Sequence, residues 1–161
     1  MLLQNMAAST KKNHLTLNPK TLDAYEPRMK EVHVNIKVKG CWHFINQQYP
    51  WLHATADFLC SCDCWGEGCG EGKCPDCTKY LSFKEYFTKQ EPCLNTDMTI
   101  KDNHRYYYQI QQQLLTTGIK YNDFVVCSIK DSIEVACQWK TEILYSLNSP
   151  VFGDFICCLN I

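Results

Sequence analysis

The sequence predicts an α/β domain in which a mixed central β-sheet is flanked by helices. Three observations support this expectation. Apolar and polar residues alternate in several short segments, and capping signals precede segments with helical spacing. The predicted elements run in the order helix, strands, helix, strands. With 161 residues, of which 45% are apolar and 12% aromatic, the chain is long enough for one domain with a single buried core.

The first half of the chain predicts one helix followed by four strands. Asn18 is a favourable N-cap and Pro19 a favourable first helical residue, and this helix is expected to reach about Lys30. Segments of alternating or β-favouring residues follow, the first of them ending at Gly40. The strands are expected at residues 32–38, 41–46, 56–62 and 71–74, with the glycine-rich residues 65–70 as a hairpin loop between the last two.

The second half predicts two helices and then two strands. Ser82 and Glu85 match a capping box that opens a short helix, and residues 91–101 are expected to be a polar connection. A longer helix is expected from about Asn103 to Gly118, a favourable residue just past a helix end. The last strands are expected at residues 121–128 and 132–139.

Composition bounds the domain organisation and the location. Residues 1–16 are polar and without pattern, so we expect disorder there, a folded domain over 17–145 and an atypical apolar tail over 146–161. That tail is either a terminal strand or the mark of a truncated domain. The net charge of −1 gives no global attraction to nucleic acid, and no apolar stretch suits a membrane helix. We therefore expect no membrane partner and an intracellular location, in the nucleus or cytoplasm.

Two carboxylates and a lysine form the candidate site. Glu71 and Lys73 are two residues apart on a predicted strand, so their side chains leave the same face of the sheet. A hairpin could bring Asp57 beside Glu71, and two carboxylates suit Mg²⁺ or Mn²⁺. With a lysine to hold water or stabilise charge, this trio is sufficient for phosphodiester hydrolysis. The alternative interpretation is ordinary surface charge on a hairpin.

Three segments in order resemble one family. They are YPWLHATADF (49–58), GEGKCP (70–75) and HRYYYQIQQQLLTTGIKYNDFVVCS (104–128). Together they resemble the YqaJ-like viral recombinase domains, relatives of lambda exonuclease in the PD-(D/E)xK nuclease superfamily. The resemblance covers roughly residues 18–139 and implies a core like that of restriction endonucleases.

The resemblance implies roles for matching residues. Asp57 and Glu71 would be the metal carboxylates, the backbone carbonyl of Gly72 a further metal ligand, and Lys73 the catalytic lysine. Gln109 and Gln111 match a glutamine pair that relatives place near the active site. The activity that the resemblance implies is metal-dependent, exonucleolytic DNA cleavage in recombination or repair, by a chain that assembles with its own copies.

Three positions depart from the family's pattern. Ala56 stands where relatives usually have proline, and Gly72 where they have valine or isoleucine. If the upstream segments align, Asn18 replaces a glutamate that helps to hold metal, and an amide oxygen is a weaker ligand for a hard cation. The resulting hypothesis is weakened metal affinity with reduced or absent cleavage.

A cluster of cysteines supports a second interpretation. Cys74 and Cys77 have the spacing of half a zinc site, and Cys64 and Cys69 could complete four thiolates. The alternation of cysteines over residues 60–64 argues against a zinc knuckle. Buried free thiols remain the alternative, and disulfides are disfavoured in a reducing compartment. With structural zinc, the chain would be a non-catalytic module that binds nucleic acid or protein.

Overall fold

A computed structural model of the chain describes residues 19–41, 43–74, 81–88, 92–128 and 132–139. Within these ranges the chain forms three helices and seven strands. The helices are α1 (Pro19–Lys30), α2 (Phe83–Phe87) and α3 (Arg105–Thr117). The strands are β1 (Lys37–Gly40), β2 (His43–Ile45), β3 (His53–Thr55), β4 (Phe58–Cys62), β5 (Gly66–Lys73), β6 (Tyr121–Ser128) and β7 (Ser132–Trp139).

Five of the strands form a mixed sheet in the order β1-β4-β5-β6-β7. Neighbouring strands are antiparallel except β5 and β6, which are parallel. Strands β2 and β3 form a separate antiparallel pair. A parallel pair needs a long crossover connection, and the segment that contains α2 and α3 supplies it. The predicted α/β fold with a mixed sheet and flanking helices is thus confirmed.

Each face of the sheet has its own apolar core. The face that carries Cys69 and Phe124 packs against residues of α2 and α3, including Tyr86 and Ile110. The opposite face carries Phe58, Tyr121 and Val125 and packs against Tyr25 and Met29 of α1. Side chains two residues apart on β5 therefore share a face, and Glu71 and Lys73 lie on the α3 side with Cys69.

The predicted helices are confirmed at their ends. Ser82 and Glu85 form both hydrogen bonds of a capping box at α2. Helix α3 begins after His104, whose side chain accepts a hydrogen bond from the backbone of Tyr106. It ends at Gly118, which has φ +73°, a conformation that costs glycine little and other residues more.

The prediction of a strand over residues 32–38 is wrong for its first part. Residues 31–35 form turns after α1, and only Lys37–Gly40 is a strand. The backbone of His33 donates to the carbonyl of Met29, which continues the helical bonding pattern, and Asn35 has φ 53°. Val32 and Val34 are 65% and 60% exposed, so the alternation reflects exposed valines rather than a half-buried strand.

The predicted glycine loop at 65–70 is also wrong, because most of it is strand. Residues 63–65 form the turn, and β5 already begins at Gly66. A Cβ atom on Gly68 would lie 2.3 Å from the ring of Tyr121, and one on Gly70 would lie 2.0 Å from the ring of Phe58. These glycines therefore make room for two buried aromatic rings on the α1 face of the sheet.

Two further boundaries differ from expectation. The strand expected at 56–62 begins at Phe58, and β3 precedes it as a separate strand that was not predicted. The expected polar connection at 91–101 is partly apolar: Leu94 and Ile100 form a bridge and are buried in the core on the α3 side. None of the helices that the structure describes is long and apolar enough to cross a membrane.

Candidate active site

Strand register brings Asp57 beside Glu71. Phe58 pairs with Gly70 in the antiparallel β4–β5 ladder, so the residue before Phe58 faces the residue after Gly70. The backbone N–H of Asp57 donates to the carbonyl of Gly70 at 2.9 Å, and Asp57 Oδ2 accepts from the backbone N–H of Gly72 at 2.9 Å. The half-buried Asp57 carboxylate is therefore held at the edge of β5 by a backbone donor.

Lys73 forms an ion pair with Glu71 on the same face of β5. Its Nζ lies 2.5 Å from Glu71 Oε1, and the ammonium lies 5.3 Å from the centroid of the Tyr106 ring. The side chain of Glu71 is 5% exposed and that of Lys73 is 25% exposed. The lysine thus connects a buried carboxylate to the surface of the protein.

Two glutamines of α3 also donate hydrogen bonds to the carboxylate of Glu71. Gln109 Nε2 donates to Glu71 Oε1 at 2.7 Å, and Gln113 Nε2 donates to Oε2 at 2.7 Å. Gln113 also donates to the carbonyl of Thr55 at 2.8 Å and accepts from Asn122 Nδ2 at 2.8 Å. Residues four apart lie on one side of a helix, so α3 places both amides over the carboxylate.

The surroundings of Glu71 oppose its charge when no cation is bound. Burial raises the pKa of Glu71, and the nearby Asp57 carboxylate raises it further. Lys73 and the Gln113 hydrogen bond act in the opposite direction. A divalent cation between two carboxylates would relieve their repulsion, so this donor set fits Mg²⁺ or Mn²⁺.

The structure therefore assembles Asp57, Glu71, Lys73 and Gln109, four of the residues singled out from the sequence. Gly72 contributes its N–H to Asp57, and the role of its carbonyl as a metal ligand stays a prediction. Gln111 is fully buried, but the glutamines whose hydrogen bonds to Glu71 the structure describes are Gln109 and Gln113. A catalytic role for Gln111 also stays a prediction.

Sequence reasoning missed Gln113 and Asn122. Three consecutive glutamines of α3, Gln111, Gln112 and Gln113, are all buried in the structure. The signal for Gln113 was its position four residues after Gln109 on the same helix. Asn122 carried no comparable signal, because its contact with Gln113 depends on how β6 packs against α3.

Ala56 and Asn18 are two of the positions that depart from the family's pattern. Ala56 is 1% exposed and belongs to the apolar core on the α3 side. Asn18 lies outside the described residues.

Cys64, Cys69 and Cys74, the three members of the predicted zinc set that the structure describes, are not brought together as a group of possible metal ligands. Cys69 is buried and accepts from Asn122 Nδ2 at 3.4 Å, whereas Cys74 lies 3.6 Å from the hydroxyl of Thr21. Cys77 lies outside the described residues. Cys64 lies beside His33 and Cys62, whose hydrogen bonds lower the pKa of the Cys64 thiol to about 7. This trio is the group of possible metal ligands found among the described residues.

Comparison with known proteins identifies the family of this chain and two solved structures with a similar fold. The model of the YqaJ-like viral recombinase domain matches residues 15–120. No curated protein matches the chain. Two solved structures of the alkaline exonuclease LHK-Exo from Laribacter hongkongensis are similar to it. One is 18% identical with a TM-score of 0.53, and the other, in complex with dAMP, is 17% identical with a TM-score of 0.56.

The two matches to LHK-Exo cover most of this chain but a smaller share of the exonuclease. Each covers 86% of this chain and 62% of the solved chain, so this chain spans about three fifths of the length of LHK-Exo. At this level of identity the likeness concerns the fold. It agrees with the nuclease-like α/β core predicted from the sequence.

Proposed function

Because this chain belongs to the YqaJ-like viral recombinase domain family, we propose that it is a metal-dependent deoxyribonuclease of recombination or repair, with an exonucleolytic mode of cleavage. The observation that carries the proposal is the contact of one buried carboxylate, Glu71, with Lys73 and two helix amides beside Asp57. Surface charge on a hairpin would be exposed, whereas Glu71 is 4% exposed. A buried carboxylate with a raised pKa in such surroundings is typical of a functional site.

Each residue has a role that follows from its position. Asp57 and Glu71 would hold Mg²⁺ or Mn²⁺, together with the carbonyl of Gly72. The bound cation would polarise the scissile phosphodiester and lower the pKa of a bound water. Gln109 and Gln113 hold Glu71 in one orientation, so little reorganisation is needed during the reaction.

Lys73 acts on the nucleophile or on the charge of the transition state. Its ammonium contacts Glu71 and lies near the Tyr106 ring, which restricts its position on the exposed side of the site. From there it can donate to an attacking water or to a phosphate oxygen that gains charge in the transition state. Gln111 is the second glutamine of the pair that relatives place near the active site, and the rate of DNA cleavage by Gln111→Ala tests its contribution.

The test is degradation of linear double-stranded DNA by the full chain with Mg²⁺ or Mn²⁺. We expect Asp57→Ala and Lys73→Ala each to lower the rate by about 100-fold or more, the range seen when an electrostatic group of a transition state is removed. Lys84→Ala is the matched control, since Lys84 is exposed on α2 and outside this site. Equal rates for Lys73→Ala and Lys84→Ala would overturn the assignment of Lys73.

The substrate and the cleavage mode need separate arms of that experiment. Circular DNA without ends should resist an exonuclease, whereas its degradation would indicate endonucleolytic cleavage. We also propose that the chain binds DNA, that it assembles into a homo-oligomer and that it is located inside the cell, in the nucleus or cytoplasm. Light scattering after size exclusion measures the oligomeric state.

The extent of activity depends on Asn18 in this proposal. If Asn18 stands where relatives use a glutamate, the site has one negative charge fewer and binds Mg²⁺ more weakly. The chain is then a nuclease with reduced activity, or an inactive descendant. No cleavage by any variant, together with zinc bound through Cys64, Cys69, Cys74 and Cys77, would favour the non-catalytic module instead.

A further inference from the structure

Three side chains with strong affinity for soft metals meet at the end of the sheet where β4 turns into β5. His33 Nδ1 lies 3.0 Å from Cys64 Sγ and 3.5 Å from Cys62 Sγ, and the two sulfur atoms lie 3.2 Å apart. His33 and Cys62 are buried, whereas Cys64 is exposed. All three ligand atoms lie within 4.8 Å of one another.

These separations are close to those of a tetrahedral zinc site. With Zn–S bonds of about 2.3 Å and Zn–N bonds of about 2.1 Å, tetrahedral ligands stand roughly 3.8 Å apart for two sulfurs and 3.6 Å for sulfur and nitrogen. The observed distances are shorter by about 0.1 to 0.6 Å. The trio would therefore have to expand by up to about 0.6 Å to admit the ion.

Hydrogen bonds between two turns hold the ligands in place. The backbone N–H of Asp63 donates to the carbonyl of Val34 at 3.0 Å, and Asn35 Nδ2 donates to Asp63 Oδ2 at 2.7 Å. These bonds join the turn after α1, which carries His33, to the turn that carries Cys64. These hydrogen bonds therefore hold the ligand side chains close together before a metal binds.

The sulfur atoms also receive hydrogen bonds from the backbone. The N–H of Trp65 donates to Cys62 Sγ at 3.3 Å, and the backbone of Val34 hydrogen bonds to Cys64. Backbone donors of this kind stabilise the negative charge of metal-bound thiolates. The Trp65 ring packs edge-on against His33 with centroids 4.7 Å apart, which limits rotation of the imidazole.

We propose that His33 Nδ1, Cys62 Sγ and Cys64 Sγ bind one Zn²⁺ ion, which fastens the turn after α1 to the β4–β5 turn. Two thiols lose their protons to solvent on binding, so two thiolates, a neutral imidazole and Zn²⁺ make a site without net charge. The fourth position of the tetrahedron is open to water on the side of exposed Cys64.

This site is separate from the proposed nuclease site. Asp57 directly precedes β4 and Cys62 ends it, so the two residues are five positions apart, which corresponds to roughly 16 Å of extended chain. Cys62 belongs to the apolar core on the α1 face, whereas Glu71 faces α3. The ligand types differ too, because sulfur and imidazole select zinc over magnesium. Zinc binding at this site can therefore be tested whether or not the chain cleaves DNA.

The experiment measures zinc bound to the full chain purified with a reductant, by native mass spectrometry and elemental analysis. We expect one zinc per chain, and a loss of affinity of at least about 100-fold for Cys62→Ser and His33→Asn in competition with a chelating dye, since even outer-shell changes cost 10–100-fold. Cys74→Ser is the matched control, because Cys74 is exposed and belongs to the alternative cysteine set. It should retain zinc.

A second measurement covers the case in which a variant folds poorly. Co²⁺ added to the wild-type chain should give the ultraviolet absorption of thiolate–metal bonds, and zinc should raise its melting temperature; both effects should be absent in Cys62→Ser with a native circular dichroism spectrum. The proposal is overturned if the wild type binds no zinc at saturation. It is also overturned if Cys74→Ser loses zinc while Cys62→Ser retains it, or if Cys62 and Cys64 form a disulfide and exclude zinc.

Discussion

Replacing Gln113 with alanine should destabilise the chain far more than the same change at its neighbour Gln112. Gln113 is 1% exposed, and its amide makes three hydrogen bonds at 2.7–2.8 Å, one of them to the charged Glu71. A hydrogen bond to a charged group contributes about 1.5–3 kcal/mol, and leaving the buried Asn122 amide without its Gln113 partner costs about 1–3 kcal/mol more. Allowing for relaxation, we expect Gln113→Ala to lower the free energy of unfolding by about 4 kcal/mol.

Gln112 supplies the matched control on the same helix. It is also buried, but the hydrogen bond described for it is a single one, to the carbonyl of His53 at 3.0 Å. His53 is exposed, so water can replace that donor, and Gln112→Ala should cost about 1 kcal/mol. Urea denaturation at neutral pH without divalent metal measures both values. Free-energy changes that agree within about 0.5 kcal/mol would refute the hydrogen-bond frame described around Glu71.

The remaining predictions concern packing, metal binding and the departure at Asn18. Gly70→Ala should lower stability by about 3 kcal/mol in thermal or urea unfolding, since its Cβ would lie 2.0 Å from the ring of buried Phe58. Gly40→Ala, where a Cβ has open space, should change stability by less than about 1 kcal/mol, and equal costs would disprove the packing argument. Mg²⁺ at 100 times its dissociation constant should stabilise the wild type by about 2.7 kcal/mol but not Asp57→Ala, and equal shifts in melting temperature would place the ion elsewhere. Asn18→Glu should increase Mg²⁺-dependent cleavage, and an unchanged rate would reject the alignment of that segment.

The elements that sequence reasoning recovered are those with a local physical signal. The capping box at Ser82, the left-handed glycine at Gly118 and the apolar strand 121–128 each depend on residues close in sequence. Asp57, Glu71 and Lys73 were identified because a two-residue spacing on a strand fixes a shared face, and because the surrounding segments resembled a family. Their contacts in the structure agree with that reasoning.

The errors arose where distant residues decide the outcome. Gly68 and Gly70 were interpreted as a loop because nothing nearby shows that the rings of Tyr121 and Phe58 need their space. Val32 and Val34 alternate with polar residues, yet the backbone after α1 forms turns and leaves both valines exposed.

The same limit applies to the candidate ligands. The cysteines were grouped by spacing, whereas Cys64 meets His33 from a turn 31 residues away. Tyr25 in α1 hydrogen bonds to the carboxylate of Asp123 on β6, a second long-range contact that no local pattern announced.

The central claim is that Glu71 and its partners form a metal-dependent nuclease site, and the initial rate of nucleotide release from linear DNA at increasing Mg²⁺ tests it most directly. Wild type and Glu71→Gln should be compared, because the two side chains have nearly the same shape but differ in charge. We expect a rate that rises with Mg²⁺ and saturates for the wild type, and a rate at least about 100-fold lower for Glu71→Gln. Cleavage by both proteins with the same dependence on Mg²⁺ would contradict the assignment of this site.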